Sequence, residues 1–468
     1  MARNDTVIKI LPGERFTPYG LARKLDALAI LESSSFHKGR ERYSLLVVKE
    51  AFRLEQQGRE IVLRSGAKRQ VVRSEAKDIL DVLIYFANQH TLPHQDFPFP
   101  AGGIGFLSYE FSAYCDTIRI THKPDELSLP DASFLFGHVF VVFDHYTDLI
   151  YLIGLNYNEH EIDLDAAIRE TEAKINDLNF NYLQQHESRY EATVVNAGAD
   201  RQTYLDGVAE IRDEIVKGNL LQAVLSRRVE LDTKLPAVEA YRRLRTSNPS
   251  PYLFYLNFGA YELFGSSPEV HVKLKDGRVK IRPIAGTRRR GADRYEDKKL
   301  EEELLADEKE RAEHLMLVDL ARNDIGRVCT PGSVEVTESM VIERYSHVMH
   351  IVSQVEGDLA DGKTGADLIR ATFPAGTVSG APKIRAIEVL DRIEPVSRRF
   401  YAGLVGYLEP GGSLDTCITL RSGYKRGDRM VLQAGAGIVY DSTPEREYEE
   451  TQEKLAALAR AAGVEVDA

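Results

Sequence analysis

Hydrophobic positions along this chain switch between two periods. Tyr204, Val208, Ile211 and Ile215 recur at steps of four, three and four, one apolar face of a helix that Asp200 caps and Gly218 ends. Val270, Val272 and Leu274 instead alternate with polar residues as far as Asp276-Gly277, and Val279, Ile281 and Pro283 keep that register afterwards. A period of two on both sides of an Asp-Gly turn predicts a β-hairpin. Similar hairpins are readable at 252–264 and 415–434. The apolar stretch 134–157, broken by His138, Asp144, His145 and Asp148, predicts two strands and a turn. Upstream, 22–31 predicts a helix, 43–51 a strand, and the Pro-, Phe- and Gly-rich segment 91–105 a loop. Residues 346–355 are expected to hold His347 and His350 one helical turn apart.

Hairpins interleaved with helices, without a regular strand-helix-strand period, predict an α/β fold of the α+β kind, with antiparallel or mixed sheet and helices packed on it. Residues 1–185 read as an N-terminal region, the polar 186–200 as a connector and 201–468 as a second region. A chain of 468 residues is long enough to bury a substantial core.

Composition narrows the function classes. A net charge of −12 argues against a nucleic-acid partner, although local basic groups can still line a pocket for a small anion. No run approaches the roughly 18 apolar residues of a membrane helix, and residues 1–10 lack a secretory pattern, so no membrane partner is expected. Cys115, Cys329 and Cys417 show neither C-x-x-C nor paired spacing. Neither a disulfide framework nor a structural zinc site is indicated, and a reducing, cytoplasmic location fits.

Two acidic pairs of identical spacing, Glu310-x-x-Glu313 and Glu447-x-x-Glu450, lie in segments that read as helices. A spacing of three puts both carboxylates of a pair on one helical face. Brought together, four hard oxygen donors suit Mg²⁺ that keeps some waters to share with an anionic substrate. Alone, the spacing also fits an ordinary acidic helix surface. The second pair follows Ala434-Gly-Ala-Gly-Ile438, whose small residues let backbone N–H groups approach a ligand oxygen, and Ser442 with Glu445 has capping-box spacing. Residues 373–383, F-P-A-G-T-V-S-G-A-P-K, carry Thr377 and Ser379, but only three residues separate Gly376 from Gly380 and Lys383 does not follow directly. The Walker spacing is therefore absent and nucleoside triphosphate binding is rejected. Arg421, in a segment alternating Cys417-Thr419-Arg421, and Lys454 are the basic anchors open to an acid substrate.

In order along the chain, Gly265-Ser-Ser-Pro-Glu269, Arg282-Pro-Ile-Ala-Gly-Thr287, Glu310 to Asp324, Val348-Met-His350, Gly376-Thr-Val-Ser-Gly-Ala-Pro-Lys383, Phe400-Tyr-Ala-Gly403, Ile418-Thr-Leu-Arg421 and Ala434-Gly-Ala-Gly437 resemble the chorismate-utilising enzymes. The resemblance covers 200–468 strongly and the first 185 residues more loosely, and within the family it is nearest to anthranilate synthase component I. It implies a sandwich of large antiparallel sheets flanked by helices. Isochorismate and salicylate synthases carry a water-activating lysine where this chain has Gln222, and aminodeoxychorismate synthases carry a lysine in place of Ala285. With neither lysine present, ammonia is the implied nucleophile.

The resemblance further implies roles. Glu313 and Glu450 would bind Mg²⁺ directly, with Glu310 and Glu447 holding its waters or completing its shell. Thr377, Tyr401, Arg421, Gly435, Gly437 and Lys454 would hold substrate, alongside Gln222 and the segment Ala285, Gly286 and Thr287. Glu269 would protonate the departing C4 hydroxyl and His350 would serve pyruvate elimination. Ile30-Leu31-Glu32-Ser33 followed by Ser44 resembles the family's tryptophan-inhibition element, with Pro251, Tyr252 and Leu253 as the other wall. L-Tryptophan is thus the expected inhibitor. No cysteine stands in a glutaminase elbow, so glutamine use implies a separate glutamine amidotransferase subunit, component II, in a heterotetramer. The alternatives are an aminodeoxychorismate synthase component I and a catalytically silent regulatory homologue.

Overall fold

The computed structural model describes residues 5–33, 42–73, 75–91, 97–121, 123, 127–158, 160–177, 190–195, 201–345 and 348–464. Strands Tyr43–Gln57 and Ala132–Asp144 pair antiparallel along their length and form the spine of the molecule. Every position of Ala132–Asp144 is buried, as expected of a strand covered on both faces. From Tyr43–Gln57 one series of antiparallel pairings runs through Ala29–Glu32, Tyr252–Asn257, Glu262–Ser267, Ser422–Arg426 and Arg429–Ile438 to Gln222–Thr233. From Ala132–Asp144 another runs through Ile104–Leu107, Leu404–Leu408, Leu414–Ile418, Val270–Lys275 and Arg278–Ile281 to Val348–Asp358. Strands Ile284–Arg289 and Glu335–Arg344 flank that last strand.

The two series face each other. One continuous core joins Phe254, Leu256 and Leu263 of the first to Phe106, Leu404 and Val405 of the second. A second core lies where Tyr241 and Leu244 of helix Ala237–Ser247 and Leu455 and Leu458 of helix Pro444–Ala462 cover Leu231, Phe264 and Leu432. Burying each such side chain contributes about 1.5–3 kcal/mol. The result is the expected layered, antiparallel α+β architecture with flanking helices.

Several local expectations are corrected. Residues 22–31 are not one helix: Thr17 caps helix Pro18–Lys24, Asp26 turns with φ 50°, and Ala29–Glu32 is a strand. Pairing on both sides, with Tyr252–Asn257 and Tyr43–Gln57, overrides helical periodicity there. Residues 348–355 form part of a strand whose Val348, Ile351, Val352 and Val355 suit a pleated surface, so His350 is a strand residue. Ser346, His347 and Asp200 lie outside the described residues, as does most of the 186–200 connector. The hairpin expected at 415–434 is instead three strands: Leu414–Ile418 pairs with Leu404–Leu408 and Val270–Lys275, while Ser422–Arg426 pairs with Arg429–Ile438. Arg421 occupies the bend between them, with φ 43°. The cap of helix Pro444–Ala462 is Thr443, not Ser442, whose hydroxyl accepts from Val439 N at 3.0 Å.

Candidate active site

The acidic helices are set by their own ends. Asp307 caps Glu308–Gly326 by accepting from Lys309 N and Glu310 N, which fixes Glu310 and Glu313 in the first two turns. Pro444 opens the second helix and places Glu447 and Glu450 in the same position there. The fold brings the pairs into one electrostatic neighbourhood. Burial, then Glu310 and Glu450, raise the Glu313 carboxyl, while Gln222 Nε2, 3.3 Å from Glu313 Oε1, opposes. Burial and Glu450 likewise raise Glu447. Glu310 pairs with Arg288 at 3.0 Å and Glu450 with Lys454 at 2.7 Å. Among the described residues no three acidic, His or Cys groups form a preassembled metal shell. The donor chemistry nevertheless fits a hard divalent cation, because like charges press on Glu313 and no cationic side chain among the described residues forms an ion pair with it.

A second group of charges surrounds Arg421. Its guanidinium makes no hydrogen bond or ion pair among the described residues, and burial lowers its pKa, with Tyr345, Glu269 and Tyr401 opposing. Glu269 follows strand Glu262–Ser267 and is held through its backbone, since Ile418 N donates to its carbonyl at 3.1 Å. Burial pushes its carboxyl up to about 8, against the pull of Thr377, Arg421 and Lys454. At neutral pH it therefore carries a proton. Thr377 Oγ1, in the short helix Gly376–Ser379, is buried without a hydrogen bond of good geometry among the described residues.

His350 Nδ1 lies 3.1 Å from the Gly286 carbonyl and 3.0 Å from Thr287 Oγ1. A carbonyl only accepts, so Nδ1 bears the proton and Nε2 is left as a base. Burial lowers the pKa to about 4, so the ring is neutral at pH 7. Ala285 sits on the same strand, opposite Ile351. Gly435 and Gly437 are not in a terminal loop but within Arg429–Ile438, opposite Ser226 and Val224. Strand Ser422–Arg426 stops opposite Gln433, which leaves their other edge without a paired strand among the described residues. Side chains are excluded there: a Cβ at Gly437 would lie 2.6 Å from Gln222 Nε2, and one at Gly435 2.9 Å from the Tyr401 hydroxyl. Lys454 Nζ donates to the Gly435 carbonyl at 2.9 Å.

A model described as chorismate binding enzyme matches residues 40–460. The chain belongs to the chorismate-binding enzyme family. Anthranilate synthase component 1 of Spirochaeta aurantia is 64% identical over 99% of this chain and 96% of its own length. A crystal structure of anthranilate synthase component I from Streptococcus pneumoniae superposes with a TM-score of 0.79 at 34% identity, covering 96% of this chain and 99% of that one. The menaquinone-specific isochorismate synthase of Escherichia coli, at 21% identity, 98% and 94% coverage and a TM-score of 0.72, shares the fold.

This chorismate-binding enzyme has a second pocket, of about 90 Å³, away from the acidic helices. Leu31, Glu32, Ser33, Pro251, Tyr252 and Leu253 all line it. Ser44 does not: it lies between the lining residues Tyr43 and Leu45, and its hydroxyl is 2.8 Å from His145 Nε2. Glu32 accepts from Tyr241 at 3.1 Å and Arg245 at 2.8 Å, and Asp415 accepts from Tyr252 at 3.0 Å and pairs with Lys273 at 3.0 Å.

Sequence reasoning missed the support beneath the first site. Arg398, 1% exposed, pairs with Glu394 at 2.7 Å and donates to the Val378 carbonyl at 2.8 Å and to the Val224 carbonyl. Glu394 in turn accepts from Ser226 N and Oγ at 2.8 Å. The i,i+4 spacing was visible, but on its own it signals a surface pair. Lys383, rejected as a phosphate-loop lysine, bonds Asp324 at 2.6 Å and so ties two helices together.

Proposed function

We propose that this chain is the chorismate-converting subunit of an anthranilate synthase, forming anthranilate and pyruvate from chorismate and ammonia. The observation that carries this reading is a half-buried Arg421 with no ion pair among the described residues, set beside a carboxyl, Glu269, that stays protonated at neutral pH. A partly desolvated cation without a counter-charge is unfavourable, and a carboxylate substrate offsets that cost. Gln222 and Ala285, where related enzymes have lysines, leave ammonia as the nucleophile. The 64% identical relative carries the same activity in its name.

On this reading Arg421 receives a substrate carboxylate through its forked donors, and Lys454 adds positive charge at the Gly435 edge. Glu269 gives its proton to the C4 hydroxyl as that group departs, which its raised pKa permits at neutral pH. Neutral His350, with Nδ1–H fixed by the Gly286 carbonyl, offers Nε2 to take the proton lost as pyruvate leaves. Glu313 and Glu450 would hold Mg²⁺, with Glu310 and Glu447 as outer donors, and the metal supplies Lewis-acid neutralisation of the ring carboxylate.

The second pocket is proposed to take L-tryptophan as a feedback inhibitor. Ser33 Oγ, buried there with no hydrogen-bond partner among the described residues, is a group for it to bind. Glutamine-dependent activity is assigned to a separate component II amidotransferase. The reading is tested by incubating the chain alone with chorismate and ammonium. Anthranilate is expected, whereas para-aminobenzoate formation after lyase addition, or no pyruvate at all, refutes it.

A further inference from the structure

Glu269 lines a cavity of about 30 Å³, together with His271, Asp324, Thr372, Leu320 and Thr377 among others. That volume exceeds the roughly 10–15 Å³ one water molecule needs. Two polar atoms of its lining residues are buried without a hydrogen bond of good geometry among the described residues: Thr377 Oγ1, whose side chain bears on the Glu269 carboxyl, and His271 Nε2. His271 is 3% exposed and follows Glu269 by two positions.

The His271 tautomer follows from its neighbours. Thr416 Oγ1 gives its single proton to the Val272 carbonyl at 2.8 Å, so towards His271 Nδ1, 3.1 Å away, it accepts. Nδ1 therefore holds the ring proton, and Nε2 presents a lone pair that needs a donor. Burial lowers the ring's pKa to about 3, with Lys383 adding to the effect, so the ring does not protonate itself. The Thr372 carbonyl accepts from Lys383 at 3.2 Å and also bears on the His271 ring, but having only lone pairs it donates nothing to Nε2.

We propose that this cavity binds one structural water that accepts the Glu269 carboxyl proton in a hydrogen bond and donates to His271 Nε2 and Thr377 Oγ1. His271 is thereby a positioning residue for the catalytic proton. The proposal rests on the reading of Glu269 as the general acid. An acceptor at Nε2 orients the water with its oxygen toward Glu269, which favours the protonated carboxyl. Arg421, Lys454 and Tyr345 act on Glu269 electrostatically, Asp324 lines the cavity and pairs with Lys383, and Lys383 acts on His271; all five are retained in a His271 variant.

Two experiments decide it. A crystal structure of the wild-type chain is expected to show one water within about 2.7–3.2 Å of both Thr377 Oγ1 and His271 Nε2, and a dry cavity overturns the proposal. In parallel, His271→Leu is expected to move the alkaline limb of the kcat/KM profile with ammonia down by about one pH unit, a roughly tenfold loss above that limb. His271→Gln, which keeps an acceptor, restores the limb. A correctly folded His271→Leu with an unmoved limb overturns the proposal even if the water is seen. Glu269→Gln separates the two readings: if it retains wild-type turnover, the general-acid assignment itself has failed. If it is inactive while the cavity is dry, only the water is lost.

Discussion

The candidate active site and the pocket lined by Glu32 treat charge in opposite ways. In the inner one, Arg421 has no anionic partner among the described residues, Glu269 is held protonated, and Glu313 faces Glu310 and Glu450. In the outer one, Glu32 is satisfied by Tyr241 and Arg245, and Asp415 by Tyr252 and Lys273. Buried charge without a partner costs free energy that only a ligand or transition state recovers, whereas satisfied charge shapes a wall without driving a reaction. The difference marks the first as a place for chemistry and the second as a place for reversible binding. One strand serves both: Asp415 and Cys417 line the outer pocket and Ile418 the cavity that Glu269 lines.

The contrast is broken most severely at Glu269. Glu269→Gln is expected to lower kcat by roughly 10²- to 10⁴-fold, measured as pyruvate release. Its stability should move the other way. The wild-type carboxyl has its pKa raised from 4.5 to about 8, so the folded state holds the extra proton between those values and stability falls as pH rises through them. Above about pH 8 the loss is complete, and Glu269→Gln should melt higher than wild type there while matching it near pH 4. A parallel melting difference at both pH values contradicts the burial assignment.

Next in size, Arg421→Gln should lower kcat/KM for chorismate by roughly 30- to 1,000-fold, since truncating one side of a desolvated charge pair costs about 2–4 kcal/mol. Because that charge has no ion-pair partner among the described residues, the melting temperature should not fall. Glu32→Ala is the mirror experiment in the outer pocket. Leaving Arg245 and Tyr241 without their acceptor should cost about 1–3 kcal/mol of stability, with turnover in the absence of tryptophan within about twofold of wild type. Binding titrations should show tryptophan affinity lost. Smallest of all, Tyr252→Phe removes only the hydroxyl to Asp415, which keeps Lys273. About 0.5–1.5 kcal/mol is expected, in tryptophan affinity and not in kcat.

Much of this was legible in the chain and some was not, for physical reasons. Period-two segments bounded by Asp-Gly or by polar turns became strands where expected, as at 270–281, because pattern and turn chemistry agreed. Segment 22–31 failed because strand Ala29–Glu32 is stabilised from both sides by residues far away in sequence, which local periodicity cannot register. Segment 348–355 failed because two histidines three apart suggested a helix, while its β-branched residues carried the stronger signal. At the site, the acidic pairs and Glu269 could be named from motif and spacing. That Arg421 would be half-buried without an ion pair among the described residues, that Arg398 and Glu394 would anchor the walls, and that His271 would share a cavity with Glu269 depend on which strands become neighbours.

The metal assignment is the point on which the account of the inner pocket turns. Its most direct test is anthranilate fluorescence from chorismate and ammonium, comparing wild type with and without EDTA against Glu313→Ala. Product that depends on Mg²⁺, and a Glu313→Ala variant that is folded yet as inactive as the EDTA-treated enzyme, is the predicted result. Near-normal turnover in EDTA, or in Glu313→Ala, contradicts it.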